Sequence, residues 1–444
     1  MYLCAQNQQV MRKRIFKRKV YDKMLEWKLE RNGSTALLLK GARRVGKSTV
    51  AKAFAEKEYK SYILIDFAQA SKEVKQLFDN LMDLNYIFLR LQSIYQVILE
   101  PRKSAIIFDE VQMCPQARQA IKYLVADGRY DYIETGSLIS IKKNVENILI
   151  PSEETRLDFI RDCYRKKAPL GQALHRKAMD LFRQYLIVGG MPQAVNAFVK
   201  HNDFDEVDRV KRRILNLYRD DIRKHAKGYE MKVEAIYDEI PSQMKNQNQH
   251  FKLSSLKQGA RFDEYKDAMF WLSDAMIVNH CYNATEPTFG LNLNRDRTLL
   301  KCYMGDTGLL ISHAFDENGI VTGEVYKKLL LDKLEVNMGM VMENMVAQML
   351  TASGHKLYFY SNSSRSDASS RMEIDFLIAK SQISNRHNIS PIEVKSSKNY
   401  TLSSLKKFKT KYAEQLHIPY VLHTGDFKEE DSIVFLPLYM TPLL

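Results

Sequence analysis

The chain has 444 residues, 45% hydrophobic and 27% charged, with 18 glycines and 11 prolines. That composition excludes a collagen-like or disordered polymer and, at about 150 residues per domain, predicts roughly three globular domains. Lys and Arg number 67 against 53 Asp and Glu, a net charge of +14 that favours polyanionic partners, nucleotide or nucleic acid ahead of an anionic membrane surface, unless the excess serves only solubility.

Cys4, Cys114, Cys163, Cys281 and Cys302 are scattered without a C-x-x-C pair, which argues against a zinc site and fits a reducing compartment. The N-terminal MYLCAQNQQVMRKRIFKRKV lacks the apolar stretch of a secretory signal, and no apolar run nears the ~18 residues of a membrane span. The expected location is cytoplasmic, with no membrane attachment.

Residues 1–32 read as a basic helical segment. Arg12, Lys13, Arg14, Lys17, Arg18 and Lys19 lead into YDKMLEWKLERNG, where Val20, Met24 and Trp27 share a face and Asn32-Gly33 ends the helix. Over 33–165, short apolar runs alternate with helical stretches. ALLL (36–39), SYILIDF (61–67), SAIIFDE (104–110) and YIETGS (132–137) read as strands, with EVKQLFDNLM and QARQAIKYLV as helices between them. This alternation predicts an α/β domain, a parallel sheet covered on both faces. Residues 166–228 read as a helical region broken at GGMPQAV (189–195). Over 229–328, helices such as FDEYKDAMFWLSDAMIV precede the strand-like LLKCYMG and then DTGLL, and helices closed by a small hairpin predict a winged-helix-like domain. Residues 329–444 return to α/β. The helix MGMVMENMVAQMLTASG, the strands KLYFYS, RMEIDFLIAK and SPIEVKSS, the helix SLKKFKTKYAEQL and the strand PYVLHT follow in turn, with SNSSRSDASS (361–370) as a polar loop.

The most specific motif is Gly41-Ala42-Arg43-Arg44-Val45-Gly46-Lys47-Ser48, followed by Thr49. It fits G-x-x-x-x-G-K-[ST] at every fixed position and stands between a strand and a helix start. Glycines let backbone N–H groups approach phosphate oxygens, and the helix N-terminus adds positive potential. Lys47 then faces the β- and γ-phosphates of ATP, and Ser48 ligates Mg²⁺. AIIFDE buries a strand whose end presents Asp109, expected to hold Mg²⁺ through its water shell, and Glu110, expected to activate the attacking water. Thr135 and Ser137, at the tip of the next strand, are candidate γ-phosphate sensors. Arg118, Arg129 and Arg156 are all candidates for an arginine finger, and Arg43 and Arg44 for contacts with phosphate or a neighbouring subunit.

The run GARRVGKST, followed by IIFDEVQ and TGS, resembles the AAA-type ATPases of bacteria and archaea that carry the C-terminal domain DUF4143, the AAA_14/DUF4143 family. GGMPQAV and KCYMGDTGLL look like hallmarks of the same family, and the resemblance covers nearly the whole chain. One departure is visible: in place of a Y-P-x-x-F-x-E-F segment after the fourth strand, Arg156-Leu157-Asp158-Phe159 runs directly into IRDCYRKKAPLGQ. The resemblance implies a P-loop NTPase core and a C-terminal domain similar to restriction endonucleases. There MEIDFLI and PIEVKSS resemble the core of PD-(D/E)XK nucleases. Side chains alternate across a strand, so Glu373 and Asp375 share a face, as do Glu393 and Lys395. By that resemblance Asp375, Glu393 and the helical Glu343 would hold a divalent metal, and Lys395 would stabilise developing charge or position water. The lysines that follow, Lys406, Lys407, Lys409 and Lys411, suit a phosphate backbone or a solvated face.

Three functions fit this reading: an ATP-gated nuclease acting on DNA or RNA, a nucleotide-dependent switch that binds nucleic acid without cutting it, and an ATPase that remodels protein partners. Each is compatible with a homo-oligomer.

Overall fold

The computed structural model describes residues 19–79, 81, 83–136, 154–245, 250–288, 290–315, 326, 338–362, 370–379, 388–397 and 399–444. The basic stretch before residue 19 and most of SNSSRSDASS lie outside the described residues. The described chain falls into two compact units. One is built from the chain up to Leu39 and from Gly46–Thr135, the other from Lys40–Val45 and from residues 154 to 444.

In the first unit, helix α1 (Lys19–Arg31) precedes β1 (Leu37–Lys40), α2 (Lys47–Glu58) and β2 (Ser61–Asp66). Then come α3 (Lys72–Gln76), α4 (Leu84–Tyr95), β3 (Ser104–Asp109), α5 (Pro115–Asp127) and β4 (Asp131–Gly136). The four strands predicted from sequence are all present and form one sheet in the order β1-β4-β3-β2, with β2–β3 and β3–β4 parallel. Every residue of β3 is buried, as a central strand covered on both faces requires. Its alternation divides the core. Ala105 and Ile107 pack with Val50, Phe54 and Met24, on the side of α1 and α2. Ile106 and Phe108 pack with Phe67, Phe88 and Leu124, on the side of α4 and α5.

The second unit begins with α6 (Glu154–Arg165), α7 (Gln172–Val188), α8 (Pro192–His201), α9 (Phe204–His225), α10 (Glu230–Lys245) and α11 (Phe262–Asp274). The hairpin β5 (Val278–Ala284) and β6 (Arg295–Met304) leads into α12 (Thr307–Ala314) and α13 (Met338–Ala352). Strands β7 (Leu357–Asn362), β8 (Met372–Ala379) and β9 (Ile389–Val394) follow, then α14 (Ser403–Lys411), β10 (Tyr420–His423), β11 (Lys428–Glu430) and β12 (Ile433–Pro437). One eight-stranded sheet runs in the order β11-β12-β10-β9-β8-β7-β5-β6.

That order corrects the winged-helix-like reading of 229–328. The hairpin is not a separate wing. Strand β5 pairs in parallel with β7, Cys281 opposite Leu357 and Tyr282 opposite Tyr358, so β5 and β6 extend the C-terminal sheet across the expected boundary at 328/329. The physical reason is that β7 needs a partner on its free edge and the buried face of β5 supplies one, with Val278, His280, Cys281 and Ala284 turned away from water.

GGMPQAV and GDTGLL meet in this unit. A Cβ added at Gly308 would stand 2.6 Å from the Gly189 backbone, so only glycine permits that approach. Asp306 caps α12, accepting from Leu309 N–H at 2.9 Å, and also accepts from Gly190 N–H at 2.6 Å. The two motifs are therefore one packing device that fastens the end of α7 to the start of α12.

Candidate functional site

The phosphate loop is built by backbone conformation. Gly46 (φ 82°) precedes α2 in the left-handed region, and Arg44 (φ 68°) shares that conformation at a cost, since side chains crowd it. Lys47 is the first residue of α2 and is buried, while Ser48 is half-buried and Thr49 exposed. Gly41 and Ala42 are buried and Val45 half-buried. Within the second unit, to which Lys40–Val45 belong, Arg43 Nη1 donates to Asp221 of α9 at 2.6 Å.

In the first unit three sequence-predicted residues converge. Strand β4 lies between β1 and β3, so its tip stands beside the end of β3. Ser48 Oγ donates to Asp109 Oδ1 at 2.7 Å, and the Thr135 hydroxyl donates to the same oxygen. Asp109 is 8% exposed and Thr135 fully buried. Glu110 follows in a left-handed conformation (φ 51°) that turns the chain off the sheet. Its N–H donates to Thr135 Oγ1 at 3.4 Å, and Gln112 Nε2 donates to its carboxylate. Sequence reasoning did not single out Gln112. The hydroxyl of Ser48 and the carboxylate of Asp109 are hard oxygen donors held side by side, which fits Mg²⁺. Ser137 lies outside the described residues.

Two arginine-finger candidates are engaged within this unit. Arg118 Nη1 donates to the buried Glu134 at 2.6 Å. Arg129 forks onto Asp127 at 2.6 and 2.9 Å and lies over the Phe88 ring. The side chain of Arg156 is outside the described residues.

The C-terminal residues gather around a cavity of about 410 Å³ in the second unit, whose walls include Glu343, Glu373, Asp375, Glu393 and Lys395. Met372, Ile374 and Phe376 fill one face of β8, which leaves Glu373 and Asp375 on the other. Val394 N–H donates to Asp375 Oδ2 at 2.8 Å, and Lys395 Nζ stands 2.5 Å from Glu393 Oε2. A residue that sequence reasoning missed completes the arrangement. Lys301 of β6, buried, donates to Glu343 Oε1 at 3.0 Å and lies 2.9 Å from Glu373 Oε1, and the Tyr303 hydroxyl donates to Glu343 as well.

Charge crowding and burial raise the carboxyl groups of the pocket. Removal from water first, then the Glu343 and Glu393 charges, push the Asp375 carboxyl up to about 7, against the opposing pull of Lys301 and the Val394 N–H. Burial likewise raises Glu393, offset in part by Lys395 and by the Leu405 N–H in the first turn of α14. Burial acts to lower Lys301, but Glu343, Glu373 and Asp375 outweigh it and hold the ammonium charged.

The expectation that Glu343, Asp375 and Glu393 share one metal coordination sphere is not met in this arrangement. Among the described residues, no group of three His, Cys, Asp or Glu is close enough to hold a metal ion. The lysine ammonium lies where the carboxylates of α13 and β8 face each other.

Residues 33–152 match the AAA domain family, and residues 338–440 match a domain of unknown function, DUF4143. Residues 179–318, which hold the Gly189–Gly308 contact, match a second domain of unknown function, DUF8612. These matches give the chain an AAA domain followed by a DUF4143 domain, an order that supports a P-loop ATPase. Among solved structures it is similar to the Walker-type ATPase PABY2304 of Pyrococcus abyssi, at 16% identity over 67% of this chain and 96% of that one, with a TM-score of 0.37. It is also similar to PCH-2 of C. elegans, at 17% identity over 33% of this chain and 43% of that one, with a TM-score of 0.18. No curated protein matches the sequence. Among the described residues, no helix is long and apolar enough to cross a membrane.

Proposed function

We propose that the chain binds Mg-ATP at the Gly41–Ser48 loop, hydrolyses it by in-line attack of water, and uses the cycle to control a nucleic-acid-engaging C-terminal pocket in the cytoplasm. The observation that carries the hydrolytic part is the convergence of Ser48 and Thr135 on Asp109 at the ends of adjacent strands. Lys47, at the start of α2, neutralises the β- and γ-oxygens. Mg²⁺, held by Ser48 and through water by Asp109, would supply further charge neutralisation there. Glu110, oriented by Gln112, takes the proton of the attacking water. Thr135 fixes Asp109 and the Glu110 backbone together, so that the acid and the base keep their spacing.

For the C-terminal pocket, α14 supports a polyanionic ligand. Its first turn lines the cavity through Ser403 and Ser404, and Lys406, Lys407 and Lys411 lie exposed along it. Binding without cutting is favoured over cleavage by one observation, the Lys301 ammonium among the acids. A homo-oligomer is compatible with this reading.

The test is fluorescence anisotropy of labelled duplex DNA and single-stranded RNA on the Glu110→Gln chain, with and without ATP. The reading expects nucleic-acid affinity to change when ATP is held unhydrolysed. Identical affinities in both conditions, or no binding at all, would overturn the coupling.

A further inference from the structure

The acid pocket contains one charged group that neither the ATPase cycle nor the nuclease-like pattern uses. Lys301 reaches it from β6, the strand that joins the C-terminal sheet through the β5–β7 pairing. Its ammonium lies within 3.0 Å of carboxylates from two elements, Glu343 of α13 and Glu373 of β8. Glu393, 3% exposed, lines the same cavity, and its Oε1 has no hydrogen-bond partner. A buried carboxylate oxygen left without a partner is costly.

We propose that Lys301 is a metal-excluding counter-ion: while its ammonium bridges Glu343 and Glu373, the pocket does not take a divalent cation, and removing it leaves the space between those two carboxylates to a cation. The inference rests on the reading of this pocket as nuclease-like. Two cations cannot share the space between the same carboxylates, because like charges at coordination distance repel strongly where water is excluded. A lysine on a strand is a fixed substitute for a mobile ion: it satisfies Glu343 and Glu373 but does not reach Glu393, which keeps its own lysine, Lys395, on one oxygen only. The pocket is thus silent as a metal centre while Lys301 stays in place, and any event that withdraws β6 or redirects this side chain arms it.

The experiment is titration of the full chain with Mn²⁺ alone, without nucleotide, read by calorimetry and by loss of the free-ion electron paramagnetic signal. Lys301→Met is expected to bind Mn²⁺ at least about tenfold more tightly than wild type, the least change that relief of a like charge at this distance should produce. Lys301→Arg, which retains the charge, is expected to bind no better than wild type. Adding Glu373→Gln to Lys301→Met is expected to abolish the gain, which assigns the ion to this pocket rather than to the phosphate loop. Because Lys301→Met leaves buried carboxylates uncompensated and weakens the fold, its melting temperature is followed too, and it should rise with Mn²⁺ far more than that of wild type. Equal Mn²⁺ affinity in wild type and Lys301→Met would overturn the exclusion role while leaving the acids as a cation site. Absence of binding in both would overturn the proposal and also the cation-site reading on which it rests.

Discussion

Replacing Thr135 with valine removes one hydroxyl and little volume from a fully buried position. Two hydrogen bonds go with it, the one Thr135 donates to Asp109 and the longer one, 3.4 Å, that it accepts from Glu110 N–H. The second is too long to count for much. The first is made to a buried carboxylate, and such bonds contribute about 1.5–3 kcal/mol. Asp109 keeps the Ser48 hydroxyl as a donor at 2.7 Å but is free to turn. If that bond acts in the transition state, kcat should fall by roughly 10- to 150-fold, at about 1.4 kcal/mol per factor of ten. The KM for ATP should change little, because the phosphate-facing Lys47 is untouched. Steady-state ATPase measurements across ATP concentrations read the two parameters separately. A kcat equal to wild type would refute the argument that Thr135 holds Asp109 and Glu110 in register for hydrolysis.

Other expectations follow from the same geometry. Lys47→Ala should abolish ATP binding in a calorimetric titration, since the charge at the head of α2 is lost. Glu110→Gln should keep ATP affinity and lower turnover by about 10²–10⁴-fold, the usual contribution of a general base, and wild-type turnover would show that another group takes the proton. Lys211 is fully buried, donates to the Ile187 carbonyl at 2.8 Å, and is pushed down to about 8, chiefly by burial, with Arg212 adding to the push against Asp208 and Asp306. Its folded value lies below its unfolded one, so its contribution to stability is present above the unfolded value and is lost as pH falls through 8. The stability of wild type relative to Lys211→Met should therefore rise between pH 8 and pH 10.5 in denaturant melts, and a difference independent of pH would contradict this. Binding to duplex DNA should weaken with salt, with a log–log slope of about −0.9 per phosphate neutralised. A flat dependence would assign the +14 charge to solubility.

The phosphate loop and its acids were legible because each part is local. A strand, a Gly-rich turn and a helix start carry their own short-range signals, and the four strands follow from apolar runs bounded by polar residues. The acid pocket was legible in its strand and helix members, Glu343, Asp375, Glu393 and Lys395, which the structure brings to one cavity. Lys301 was not. It lies 42 residues before Glu343, on a hairpin that read as part of another domain. Only the β5–β7 pairing delivers it, and strand pairing over such a separation leaves no local trace in sequence. Gln112 carries a fainter signal, a polar side chain two residues beyond Glu110, whose use depends on the turn made by Glu110 at φ 51°.

The most direct test of the account is the steady-state ATPase rate of the full chain with and without Mg²⁺, measured beside Lys47→Ala and Glu110→Gln and repeated with DNA and with RNA. The account predicts hydrolysis that requires Mg²⁺, is absent in Lys47→Ala, is strongly reduced in Glu110→Gln, and changes when nucleic acid is added. Hydrolysis that persists in Lys47→Ala, or no Mg²⁺-dependent hydrolysis in the wild-type chain under any of these conditions, would contradict it.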